Sequence, residues 1–298
     1  MPGLKNYLSL VKFSHTLFAL PFAMIGFFLG VYHRELFPGS DPVSASALAV
    51  KFVLVLVCMI TARSAAMAFN RYLDRHFDAQ NPRTAIREIP KGIIAANSAL
   101  RFVIICCILF MIACWFINAI CFYLSPVALF VILFYSYTKR FTALCHIVLG
   151  IGLSLAPIGA FLAVTGHFAV LPLLFSGAVI CWVSGFDIIY ALQDVDFDRS
   201  IDLYSIPVWL GKPKALLVSA LLHVLSVSFV LAAGLYGGFG YWYWIGMLLF
   251  TGMLIYQHAI VKPHDLSRVN LAFMTANGIA SVLFSLFVIT DMIVMHQH

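Results

Sequence analysis

Two sets of polar side chains recur at a four-residue step in an otherwise oily chain. The first is Asn70, Asp74 and Asp78, within NRYLDRHFD; the second is Tyr190, Asp194 and Asp198, within YALQDVDFD. On a helix this step keeps successive side chains on one face, so each set would line about two turns. Carboxylates are costly in or near a bilayer and mark functional sites there. Oxygen-only donors suit Mg²⁺, which keeps several waters and bridges a carboxylate to a phosphate. Facing sets, with Asp196 and Asp202 nearby, could hold two or more ions around a diphosphate and neutralise the charge that grows on it as it departs. Arg71, Arg83, Arg87, Lys139 and Arg140 offer charge-assisted hydrogen bonds to the same oxygens. Salt bridging in a solvated loop would explain one Asp, but not two sets of equal step.

Other residues are weaker candidates. Asp187 precedes Asp194 at a helical spacing that puts it on the same side, where it could touch substrate or ions or orient Tyr190. Tyr135 and Lys139 share a face at the end of an apolar run, although Lys139 also fits an inner-face anchor. His15, His146, His223 and His258 have no ligand spacing and read as interfacial or packed residues. The seven cysteines sit mostly inside apolar runs and read as small buried apolar residues. A few of the many Phe and Tyr rings, if close to the acids, could stabilise a carbocation through their faces.

The elements that position these residues follow from composition. The chain is 63% hydrophobic and 10% charged, against about a quarter charged in soluble domains. It reads as an integral membrane protein, all-α, because lipid offers the backbone no hydrogen bonds. Nine spans are expected at 16–33, 46–69, 98–117, 119–138, 143–164, 169–191, 215–235, 239–258 and 269–292, in one domain over 1–298. A tight hairpin joins the third and fourth. With the N-terminus in the cytoplasm, nearly all Lys and Arg fall at the inner face, and only Arg34 and Lys51 fall toward the outer one. Both acidic sets then lie at the cytoplasmic ends of spans, in two long loops (Asn70 to Asn97 and Asp194 to Lys214) that cap the site. The expected location is the cell inner membrane, multi-pass. The net charge of +6 follows from these basic loops and does not signal nucleic acid.

The motifs resemble those of the UbiA-type intramembrane aromatic prenyltransferases. The family pattern N-x-x-x-D-x-x-x-D is met by Asn70, Asp74 and Asp78, and D-x-x-x-D by Asp194 and Asp198. The stretch ARSAAMAFNRYLDRHFDAQNPRTAIREIPKG, with Arg63, Arg83, Thr84 and Arg87, is similar to the family's first signature. Tyr135 and Lys139 in YSYTKRFT resemble its Y-x-x-x-K, and KFSHTLFALPFA also looks familial. The resemblance implies Mg²⁺-dependent transfer of a polyprenyl group from a polyprenyl diphosphate to an aromatic quinone precursor. It assigns Asn70, Asp74, Asp78, Asp194 and Asp198 to Mg²⁺-diphosphate binding. It suggests Arg71, Tyr135 and Lys139 as contacts of the diphosphate or the acceptor, and Arg63, Arg83 and Arg87 as anchors for the diphosphate or an acidic acceptor; Asp187 and Tyr190, placed by their spacing, are further acceptor candidates. The second loop carries Tyr204, Ser205 and Ile206 where 4-hydroxybenzoate enzymes often have K-S-T. With REIP at Arg87 to Pro90, this resembles a branch that also includes futalosine-route menaquinone enzymes, which leaves the acceptor open between the two. A cation-coupled transporter would place its acids at the midplane rather than at span ends. Head-group phosphotransferases would need a D-G…A-R motif that is absent.

Overall fold

Apolar runs flanked by proline, glycine and asparagine fold into helices here with few surprises at their boundaries. The structure, a computed structural model, describes residues 4–11, 19–32 and 44–296. The helices are α1 (Leu4–Leu10), α2 (Leu20–Tyr32), α3 (Ala45–Gln80), α4 (Ala96–Ile117), α5 (Ala119–Thr138), α6 (Cys145–Thr165), α7 (Val170–Ala191), α8 (Val195–Ser200), α9 (Ile206–Leu210), α10 (Lys212–Gly237), α11 (Tyr241–Ile260) and α12 (Asn277–Met295). A π-helical turn, Leu271–Ala276, leads into α12. Eight helices are long and apolar enough to cross a membrane, counting the π turn with α12. The ninth expected span is the shorter α2, of 13 residues; its expected start at 16–18, and most of KFSHTLFALPFA, lie outside the described residues. Among the described residues there is no strand, only an isolated bridge between Lys262 and Asp265.

The helix order around the bundle places the site. α7 packs between α6 and α10, α6 also packs on α2 and α5, and α3 packs on α4. Most residues of the apolar part of α7 are buried and few of those of α3 are, so α7 is the central post and α3 turns much of its surface outward. Close packing around α7 uses small residues and serines, as expected where helices pack without a hydrophobic driving force. A Cβ on Gly150 would lie 2.5 Å from the Ile180 carbonyl oxygen. Ser176, Ser219 and Ser226 each donate to a carbonyl of a neighbouring helix, at 2.7–2.9 Å. The hairpin between α4 and α5 is a single residue, Asn118. Its amide accepts from Cys121 N at 2.9 Å and donates to the Leu162 carbonyl at 2.8 Å.

Two expectations are corrected. The first polar stretch is not a loop from Asn70: α3 runs on to Gln80, so Asn70, Asp74 and Asp78 stand on its last turns. The helix stops where Pro82 forces the preceding Asn81 into an extended conformation (ψ 117°). The second set does not share one helix face. α7 ends at Ala191, and Asp194 is the N-cap of the separate helix α8. There the Gln193 side chain donates to the Tyr190 carbonyl at 3.2 Å, one of the last carbonyls of α7. Asp198 N–H then donates to the Asp194 carbonyl at 2.8 Å, closing the first turn of α8.

Candidate active site

The end of α3, the 81–95 segment, the end of α5, the start of α6, the end of α7 and α8 enclose a cavity of about 270 Å³. Every residue of both sets lines it, as do Arg63, Arg71, Arg83, Arg87, Tyr135, Lys139 and Asp187. The two sets therefore face one space. Asp196 and Asp202 do not line it; Asp196 is 88% exposed and lies 3.9 Å from Lys212.

Each carboxylate of the first set is buried against basic groups. Asp74, 2% exposed, accepts from Lys139 Nζ at 2.5 Å and Arg140 Nη2 at 3.1 Å. Asn70 Nδ2 also donates to Asp74, at 3.3 Å, which leaves the Asn70 amide oxygen for another partner. Arg87 Nη1 bridges both oxygens of Asp78 at 2.8 Å. Thr84 Oγ1 donates to the Asp78 carbonyl at 3.1 Å, folding the segment back over the helix end.

Arg83 joins the two sets. Its Nε donates to Asp194 Oδ1 at 2.9 Å, its Nη2 donates to Asp194 Oδ2, and its Nη1 donates to the Tyr190 hydroxyl at 2.9 Å. Its guanidinium also lies over the Tyr190 ring. Such fork-shaped pairing fixes orientation as well as charge. Asn81 assists by donating to Asp194 Oδ1 at 3.3 Å. Arg71 Nη1 donates to Glu88 Oε2 at 2.5 Å, and Ser9 Oγ donates to the other Glu88 oxygen at 2.5 Å, tying α1 to the cap.

Asp198 differs from the rest: among the described residues it has no ion-pair partner. Burial first, then the charge of Asp194, pushes its carboxyl up to about 6, against the pull of Lys139 and Arg83. No three acidic, His or Cys side chains converge to ion-ligand distance among the described residues. The carboxylates are turned to Arg and Lys instead. The donor set still fits Mg²⁺: it is all oxygen, mixes carboxylate with amide, and holds a half-buried carboxylate, Asp198, without a basic partner, whose charge a dication would relieve.

Three residues of the site escaped the sequence reading. Asn81 sits before Pro82 and was signalled by that proline. Glu88 lies inside the REIP run, with nothing to announce its ion pair. His146 is packed, as expected of it, and it also lines the cavity with Nδ1 2.7 Å from Asp187 Oδ2, a partner that nothing in its spacing announces. All seven cysteines are free thiols; Cys106, Cys114 and Cys181 are buried as expected, whereas Cys58, Cys107, Cys121 and Cys145 are only half-buried.

A second cavity of about 350 Å³ adjoins the first, between α3, α4, α5 and α6. Its wall is almost wholly apolar. Arg63, Tyr135, Leu149 and Leu153 line both spaces and form their junction. Arg63 Nε is buried there without a hydrogen-bond partner.

A model of the UbiA prenyltransferase family matches residues 19–279. The chain is 30% identical over 244 residues to a 4-hydroxybenzoate octaprenyltransferase of Tolumonas auensis, covering 81% of this chain and 85% of that protein. It is 31% identical over 234 residues to one of Nitrosospira multiformis, covering 78% and 79%. The apo structure of a UbiA homologue from Aeropyrum pernix superposes with a TM-score of 0.77 at 28% identity, over 95% of this chain and 98% of that one. A homologue from Archaeoglobus fulgidus bound to DMAPP and Mg²⁺ shares the fold with a TM-score of 0.71 at 21% identity, covering 97% and 99%. With its acid-lined cavity at the ends of membrane-crossing helices, the chain belongs to the UbiA prenyltransferase family.

Proposed function

We propose that this protein transfers a polyprenyl group from a polyprenyl diphosphate to the ring of an aromatic acid, 4-hydroxybenzoate or a related quinone precursor, with Mg²⁺. The observation that carries the reading is the pair of joined cavities. One is acid- and base-lined and sized for a charged headgroup, the other apolar and suited to a tail. The curated relatives act on 4-hydroxybenzoate by their names, and a fold neighbour holds a prenyl diphosphate with Mg²⁺. The absence of the K-S-T element in the second loop keeps a futalosine-route acceptor as the second reading.

Asn70, Asp74, Asp78, Asp194 and Asp198 are the residues that would hold the cation. Bound there, Mg²⁺ supplies charge neutralisation for the departing diphosphate. Lys139, Arg83 and Arg87 now neutralise these acids, and they stand close enough to turn to diphosphate oxygens once the acids are otherwise engaged. Arg71 adds a further donor, held in place by Glu88. The allylic C–O bond breaks with its electron pair leaving on the diphosphate. The Phe273 ring, packed against Tyr190 at the cavity wall with centroids 4.2 Å apart, is an aromatic group placed to stabilise the allylic cation. Arg63, with an unused donor at the junction, anchors the acceptor's carboxylate beside the tail. The positive-inside bias of the sequence supports an orientation with the capped end in the cytoplasm and a place in the cell inner membrane.

The test is purified protein with Mg²⁺, a long-chain polyprenyl diphosphate and a panel of aromatic acids, read by mass spectrometry for a carbon–carbon linked product. Asp74→Ala and Asp194→Ala should each lower turnover by at least about a hundred-fold, and EDTA should abolish it. Full activity in EDTA, or in both variants, rejects the mechanism. Uptake of a labelled solute into vesicles, lost in the same variants, would favour a carrier instead.

A further inference from the structure

Of the carboxylates that line the polar cavity, Asp74, Asp78 and Asp194 are each neutralised by Arg or Lys, and Asp198 stands beside Asp194 among the cation's oxygens. Asp187 is different. Its one ion-pair or hydrogen-bond partner among the described residues is His146, Nδ1 to Oδ2 at 2.7 Å. The backbone N–H of Ile206 points at the other ring nitrogen, Nε2, at 3.4 Å. Nε2 is thus an acceptor, and the imidazole proton sits on Nδ1, donated to Asp187. The ring is locked further by burial, with 3% of its side chain exposed. Ser184 Oγ donates to the His146 carbonyl at 3.1 Å, pinning the backbone to α7. Asp187 keeps 24% of its side chain open to the cavity, and its Oδ1 makes no hydrogen bond within the described protein. It lies within electrostatic reach of Tyr135, which also feels Arg63, at the junction of the two cavities.

An oriented carboxylate with one free oxygen and no Arg or Lys on it among the described residues has the geometry a proton acceptor requires. Aromatic prenylation must shed one ring proton, and the proposed function names no group to receive it. We propose that Asp187 Oδ1 receives the proton lost from the aromatic acceptor, and that His146 is the positioning residue that aims it. The balance is complete. The ring's π pair forms the C–C bond, and the C–O pair leaves with the diphosphate. The C–H pair then returns to the ring, and the proton passes to Asp187 and out through the open cavity. The arrangement follows the pattern in which a second group fixes the orientation of the base.

This inference rests on the aromatic-acceptor reading above. The test compares wild type with Asp187→Asn, using 4-hydroxybenzoate carrying hydrogen or deuterium at both carbons beside the hydroxyl-bearing one. Asp187→Asn should lower kcat by about a hundred-fold, leave KM for the prenyl diphosphate at its wild-type value, and reveal a primary isotope effect that wild type lacks. His146→Ala should lower kcat by about ten-fold and raise KM for the acceptor. His146→Gln, which keeps an N–H donor for Asp187, should recover most of the loss. Prenyl diphosphate binding measured by calorimetry serves as the check that each variant is folded. A folded Asp187→Asn with wild-type kcat, or one that is slow without an isotope effect, overturns the proposal. A wild-type protein that prenylates no aromatic acid rejects the function itself, a distinct result.

Discussion

Asp198 is where charge and stability pull against each other. Its carboxyl is raised to about 6 from an ordinary 3.8, so the folded chain holds that proton more tightly than the unfolded chain does. The sign follows: this group's contribution to stability falls as pH rises from about 4 to about 6 and stays low above that range. Asp198→Asn, which is never charged, should therefore raise the melting temperature in EDTA at neutral pH while impairing turnover. A lower melting temperature would show that Asp198 is not the strained carboxylate of the site. Cation binding has the opposite dependence, because a metal ligand must be deprotonated. Mn²⁺ affinity, read by electron paramagnetic resonance, should weaken as pH falls through about 6, and Asp198→Asn should flatten that step. The acid itself was legible in the sequence from its four-residue step. Its lack of a cationic partner was not, because that depends on Arg83 reaching Asp194 across the fold.

At the scale of the element, hydropathy located the spans, but it ended the second span at residue 69 although α3 runs on to Gln80 just before Pro82, and local patterns also misjudged the second acidic set. Both sets have the same spacing, yet one rides a continuous helix and the other straddles a helix break. Spacing cannot distinguish these, because one turn of α8 reproduces the same four-residue step from Asp194 to Asp198. Nor does sequence announce how closely helices approach. A Cβ on Gly26 of α2 would lie 2.0 Å from the Pro157 carbonyl oxygen in α6. In an open helix Gly→Ala gains roughly 0.5–1 kcal/mol. Here two backbones would have to part, at about 1–3 kcal/mol, so the clash wins. Gly26→Ala should lower the detergent melting temperature, whereas Gly252→Ala, whose Cβ meets nothing within 4 Å, should not. Equal melting temperatures would mean that α2 is held less closely than the geometry requires.

Across the whole molecule, the chain solves one problem twice over: it must hold a highly charged headgroup and a greasy tail within one bundle. The central post α7 and the outward-turned α3 both line the polar cavity, and α3, α4, α5 and α6 wall the apolar one. Charge was visible in the sequence because it is rare there. The apolar cavity was not, because its wall is made of the same residues as every lipid-facing surface. Its contribution is shape, which substitution can probe. Gly159 lines this cavity, and a Cβ there would meet nothing within 4 Å. Gly159→Phe should therefore fill the tail space without parting any helices. If the tail lies there, the variant should turn over a short prenyl diphosphate near the wild-type rate but lose long-chain turnover by at least about ten-fold, since a buried aromatic ring displaces tail that would otherwise be out of water. The measurement is the product chain-length distribution from a mixed pool of prenyl diphosphates, with Gly252→Phe on exposed α11 as the control. An unchanged distribution in Gly159→Phe would mean that the tail leaves the polar cavity by another route, and that the second cavity is packing space rather than a substrate channel.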